Sequence, residues 1–152
     1  MKFDDALVYF ETDGECANCG FKDARALTIH HIESADPRSE LYDNKIVLCH
    51  NCHQCHHQGK GPSGDDIKAI KSRLIVKILT RPGLNALKIA VRKGGVVASP
   101  ISVQHLVEMR YLRHACDLST TSVGEGEGQE VAIDAIYEAT SEGAALLSKW
   151  KL

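Results

Sequence analysis

Two Cys-x-x-Cys pairs, Cys16-Ala-Asn-Cys19 and Cys49-His-Asn-Cys52, stand about thirty residues apart and constrain this chain more than any other feature. Each pair sets two thiols on one tight turn, and two such turns complete a tetrahedral four-sulfur zinc site. Protein then fills all four positions, so the expected zinc is structural. It substitutes for a core that a module of about sixty residues is too small to build. Disulfides, the other use of paired cysteines, need an oxidising compartment. The amino terminus Met-Lys-Phe-Asp-Asp has no apolar leader, and no run of 18 apolar residues occurs. The expectation is therefore a reducing, cytoplasmic setting with no membrane span.

The histidines are equally clustered. Five of six cysteines and six of eight histidines fall between Cys16 and His57. His30-His31 follows Ala26-Leu-Thr-Ile29, an apolar run that reads as a strand, and Lys45-Ile-Val-Leu48 reads as a second. The loop between them, Glu33 to Asn44, is polar and contains Pro37. Cys52 to His57 reads as the start of a short helix, with His53 and His57 at i and i+4 on one face, as metal ligands on helices are placed. A four-sulfur zinc leaves these histidines over. Their bland use is a histidine-rich surface, or service in the zinc site itself. Cys49-His-Asn-Cys-His53 and Cys52-His-Gln-Cys-His56 both fit the haem attachment pattern, but they share Cys52 and no export signal accompanies them. His31-Ile-Glu33 followed by Cys49-x-x-Cys52 is similar to the zinc deaminase signature. That signature expects Pro where Leu48 stands, and it leaves Cys16 and Cys19 without a purpose.

Taken together, Cys16-x-x-Cys19, Leu27-Thr-Ile-His-His-Ile32, Asn44 and Leu48-Cys-His-Asn-Cys-His53 resemble the HNH endonuclease family over roughly residues 10–60. The resemblance implies an α+β chain whose first module has the ββα-metal fold, and hydrolysis of phosphodiester bonds, expected in DNA, to a 3′ hydroxyl and a 5′ phosphate. It implies catalytic roles for His30, His31, Asn44 and His53. His31 would be the general base, and Asn44 would hold the loop that orients it. His30, His53 and His57 would ligate a catalytic divalent metal, with His56 competing with His57 for the last place. A neutral imidazole with an ordinary pKa of about 6.5 suits proton abstraction at neutral pH. Many family members carry an acidic residue where this chain has His30. An all-histidine set favours zinc, nickel or manganese over magnesium, and the metal stays open among the four. The competing reading is a non-catalytic, zinc-stabilised DNA-binding regulator. It uses the cysteines but has no use for His30-His31 or the His53/His57 pair.

The turn formers from Gln58 to Gly64 set a boundary between modules 1–62 and 63–152. A net charge of -2 argues against a polycation that coats DNA, yet residues 65–93 hold eight basic residues against Asp65 and Asp66. The segment Lys60 to Lys93 is the expected phosphate-contacting surface, through Lys60, Lys71, Arg73 and Lys77. Ser63 is placed to cap a helix carrying Ile67, Ile70, Leu74 and Ile78. A second helix starts at Pro82 and stops at Gly94-Gly95, and a third follows Ser99-Pro100. Val96-Val97, Arg113 to Leu118 and Glu130 to Tyr137 read as strands, and a last helix opens at Thr140 or Ser141. This order, with Tyr137-x-x-Thr-x-x-Gly-x-x-Leu-Leu147, is similar to a winged helix over roughly residues 80–150. That resemblance implies a helix offering Gln104, His105 and Arg110 to DNA, with Arg113 on phosphate. Glu125, Glu127 and Glu130 would make an acidic wing that phosphate repels, which leaves homodimerisation or protein contact as the other use of the module. Cys116 reads as an ordinary small apolar residue.

Overall fold

The computed structural model describes residues 2–35, 37–123 and 129–152. The expected tip at residues 124–128, with Glu125 and Glu127, lies outside them. The chain mixes helix and strand and divides into two compact units, Met1–Ile78 and Leu79–Leu152.

In the first unit, α1 (Phe3–Glu11) precedes an antiparallel pair, β1 (Leu27–His31) and β2 (Lys45–Cys49). Leu27 pairs with Cys49 and His31 with Lys45. Helix α2 (His50–His57) follows β2 at once, and α3 (Gly64–Leu79) comes next. All five residues of β2 are buried, because α1 and α2 both pack against it. Cys49 caps α2 by accepting from Cys52 N at 3.4 Å, so one cysteine ends the strand and starts the helix.

The unit boundary falls after α3 has nearly ended, not in the turn-rich segment before it. Ser63 and Asp66 form a reciprocal cap: Asp66 N donates to Ser63 Oγ at 3.1 Å and Ser63 N to Asp66 Oδ2 at 2.8 Å. The buried stripe of α3 runs Ile67, Lys71, Ile75, Leu79, whereas Ile70, Leu74 and Ile78 are only half-buried. Lys71 is fully buried, with Nζ 2.8 and 3.0 Å from the two carboxylate oxygens of Glu11 and 3.6 Å from the Tyr42 ring centroid. Tyr42 Oη donates to the same carboxylate. This buried ion pair ties α3 to α1, which is why the helix belongs to the first unit.

In the second unit, α4 (Arg81–Lys93), β3 (Val96–Ala98) and α5 (Pro100–Glu108) lead into β4 (Leu112–Val123), β5 (Gln129–Ala139) and α6 (Ser141–Trp150). The strands form an antiparallel sheet in the order β3-β5-β4. Leu87, Ala90, Val103, Leu106, Leu112, Ala135, Tyr137 and Leu146 make its core. Helix α4 opens on Thr80, whose hydroxyl accepts from Gly83 N, and ends on left-handed Gly94. Thr140 caps α6 by accepting from Gly143 N at 3.1 Å and donates to Arg110 O at 2.6 Å. A Cβ on Gly143 would lie 2.3 Å from Tyr111 O, so the Thr-x-x-Gly spacing lets α6 close onto the turn before β4. After Leu112, β4 is exposed throughout; Cys116 is exposed with it and does not pack as a small apolar residue.

Candidate metal centres and active site

The first knuckle is fixed by backbone bonds. Cys16 N donates to Phe21 O at 2.8 Å, Gly20 N to Cys16 O at 2.8 Å, and Ala17 N to Val47 O at 2.9 Å on β2. Gly20 has φ 73°, where a residue without Cβ is unstrained. The second knuckle is the junction of β2 and α2. The four sulfurs of Cys16, Cys19, Cys49 and Cys52 lie within 4.8 Å of one another, all as free thiols. Cys19 Sγ is 3.7 Å from Cys49 Sγ. A tetrahedron with zinc–sulfur bonds of about 2.3 Å has edges of about 3.8 Å, so the spacing fits. Burial resists ionisation of Cys16, but the backbone amides of Cys49, Cys19 and Asn18 outweigh it and lower the thiol to about 7. Burial pushes Cys52 up to about 12, against an Asn18 Nδ2 donor 3.3 Å from its sulfur. Four thiolates this close need a divalent cation among them, and a four-cysteine zinc site is what the donor set fits.

The histidines make a second group. His30 at the end of β1 is 7% exposed, and its ring centroid lies 5.1 Å from that of His53 and 5.4 Å from that of His57 on α2. One ring nitrogen from each of His30, His53 and His57 falls within 4.8 Å of the others. Nε2 of His53 faces Nε2 of His57 at 3.2 Å, a spacing that a shared proton or a cation satisfies. His56 packs against His30 too, but its Nδ1 donates to Pro62 O at 2.7 Å. Burial, with the charges of the surrounding imidazoles adding to it, lowers His30 to about 4. Burial also lowers His53, with His57, His56 and His50 contributing. Both are neutral at neutral pH, which is the form that binds a metal.

His31, next along β1, points into a chain of charges. Its Nε2 is 3.1 Å from Glu40 Oε1, off the direction of a hydrogen bond, so this buried nitrogen has no aligned partner among the described residues. Glu40 Oε2 is 2.9 Å from Lys45 Nζ, which also bonds Asp5 Oδ1 at 2.7 Å. Burial opposes the charge on Lys45, yet Asp5 and Glu40 outweigh it and raise its pKa. Lys45, in turn, is the main cause that lowers Glu40. Asn44, 1% exposed, closes the loop after His31: Nδ2 donates to Glu33 O and Ser39 O, each at 3.0 Å, and Oδ1 accepts from Glu33 N at 2.8 Å. Asp5, Glu40 and Lys45 had no mark in the sequence. Each looks like an ordinary surface charge until the fold brings α1 beside the start of β2.

The expected nucleic-acid contacts divide. Lys60, Arg73, Gln104 and Arg110 are exposed. Lys77 bonds Asp13 Oδ2 at 2.9 Å and Glu11 O at 3.1 Å. Lys71 cannot meet phosphate, because it is buried against Glu11. His105 is turned inward, its Nε2 3.0 Å from Leu79 O, and Arg113 pairs with Glu138.

Two short antiparallel strands, a helix, a four-sulfur cluster that fits zinc and a converging set of histidines that could hold a metal ion come together in the first unit. Residues 16–59, which contain both sets of donors, match the family model of the HNH endonucleases, a match that suggests a nuclease or nucleic-acid-binding role for the segment. No curated protein and no solved structure matches the chain. Among the described residues, no helix is long and apolar enough to cross a membrane.

Proposed function

We propose that the protein is a metal-dependent endonuclease that hydrolyses phosphodiester bonds of DNA in the cytoplasm. The observation that carries this reading is the convergence of His30, His53 and His57 from β1 and α2 inside the segment that matches the nuclease family. A regulator needs the four sulfurs but gives these histidines nothing to do.

His31 takes the proton from the attacking water. Its Nε2 is buried against Glu40, which leaves Nδ1 as the nitrogen that meets the water. The Glu40 carboxylate, itself held by Lys45, offsets the positive charge that forms on the ring. Asn44 keeps the loop from Glu33 to Asn44 closed, so that Glu40 stays in place. His30, His53 and His57 would hold the divalent cation, which when bound stabilises charge on the phosphoryl oxygens and on the leaving 3′ oxygen. Lys60 and Arg73 reach backbone phosphates from the first unit. A winged-helix-like second unit would offer Gln104 and Arg110.

Plasmid cleavage with magnesium, manganese, nickel or zinc tests the reading. His31→Ala should lose at least about 100-fold in rate, the usual contribution of a general base, while its zinc content stays that of the wild type. A wild-type protein that binds DNA but cuts it with none of the four metals is a regulator instead.

A further inference from the structure

Helix α4 carries Arg81, Lys88, Arg92 and Lys93 and no acidic residue. The unit around it, residues 79–152, is balanced at eight basic and eight acidic residues, so half of its cations stand on one helix. Their placement is regular. Gly83, Ala86, Leu87 and Ala90 are buried on one face. Arg81, Asn85, Lys88 and Arg92 recur at spacings of four, three and four, which puts them on the opposite face. At about 1.5 Å per residue the stripe from Arg81 to Arg92 is about 16 Å long.

These cations are also unspent. Lys45, Lys71, Lys77 and Arg113 are each held by a carboxylate. No ion pair holds any of the four cations of α4 among the described residues. Alternating signs along a face mark a helix that only meets water, and α4 carries one sign.

We infer that the outward face of α4 is a phosphate-contacting surface that grips duplex DNA through Arg81, Lys88 and Arg92, with Lys93 at its end. The inference rests on the reading that the chain acts on DNA, but it does not depend on the histidine centre. Phosphates recur every ~3.4 Å of axis along each strand, so a stripe of this length meets several of them. The contact is with the backbone and carries no sequence preference.

The full chain carrying His31→Ala binds a short duplex without cutting it and serves as the reference. Arg81→Gln, Lys88→Gln and Arg92→Gln together should weaken binding and flatten the slope of log affinity against log salt by about 2 to 3, since each phosphate contact contributes about 0.9. Arg92→Gln alone should remove about one unit of slope. An unchanged thermal midpoint and zinc content would show that the fold is intact, and the single variant covers the case where the triple is unstable. Affinity and slope equal to the reference overturn the inference, as does a reference that binds no duplex. If the wild type fails to cleave while the α4 variants still lose binding, the endonuclease reading falls and this surface stands.

Discussion

Buried charges in the first unit do work that their exposed relatives elsewhere in the chain do not. Lys45 is 1% exposed and is held by Asp5 and Glu40, so its folded-state pKa lies above the ordinary value of 10.5. The sign follows directly: the folded state binds this proton more tightly than the unfolded chain, so the contribution is complete below about pH 10.5 and is lost as pH rises through the higher folded value. Asp5→Asn should therefore bring alkaline unfolding to lower pH, as followed by circular dichroism, and an unshifted alkaline midpoint would remove Lys45 from this role. Lys71 makes a sharper case. Replacing it with Met leaves Glu11 buried without its cation, which costs roughly 3–5 kcal/mol in urea unfolding. Adding Glu11→Gln should recover much of that loss, and a Lys71→Met protein as stable as wild type would contradict the buried pair. Lys71 reads as a surface cation from sequence because its partner stands sixty residues earlier. The identity of a buried lysine is set by what the fold places against it.

Local chemistry made most elements readable. Ser63, Gly94 at the end of α4 and Thr140 ahead of α6 cap as read from the sequence, whereas Thr80, which caps α4 at φ 59°, carries no such mark there. Helix α1 is different: Lys2 provides no capping side chain, and the helix is held by packing against β2 and by Glu11, which meets Lys71 and Tyr42. The knuckles were readable because thiols at that spacing have few uses. The histidine set was readable only in part, since spacing pairs His53 with His57 but leaves His56 as a rival until Pro62 O claims it. The second unit carries a sharp elemental test. Gly143→Ala forces a Cβ toward Tyr111 O, where 2.3 Å is available, so α6 must shift away from the turn. The expected cost is roughly 1–3 kcal/mol, the usual penalty of an overpacked contact, seen as a lower thermal midpoint. Zinc content should not change. A Gly143→Ala protein with wild-type stability would mean that α6 does not close on that turn.

At the scale of the whole chain, the division of labour is between two sets of metal ligands and two units. On the proposed reading the cysteines hold the first unit together through zinc and the histidines gathered between β1 and α2 serve the chemistry, while the second unit keeps half of its cations on α4. In this proposal the sulfurs and the imidazoles are separate sites with separate purposes. Native mass spectrometry of the full chain, titrated with zinc, measures this directly. The wild type should take up two metal ions, and a His53→Ala, His57→Ala variant should keep one, together with its fold. Cys52→Ser should lose the tightly held ion and the cooperative unfolding of the first unit with it. If the histidine variant loses the retained zinc as well, or if the wild type never binds more than one ion, the sulfurs and imidazoles are not two separate sites.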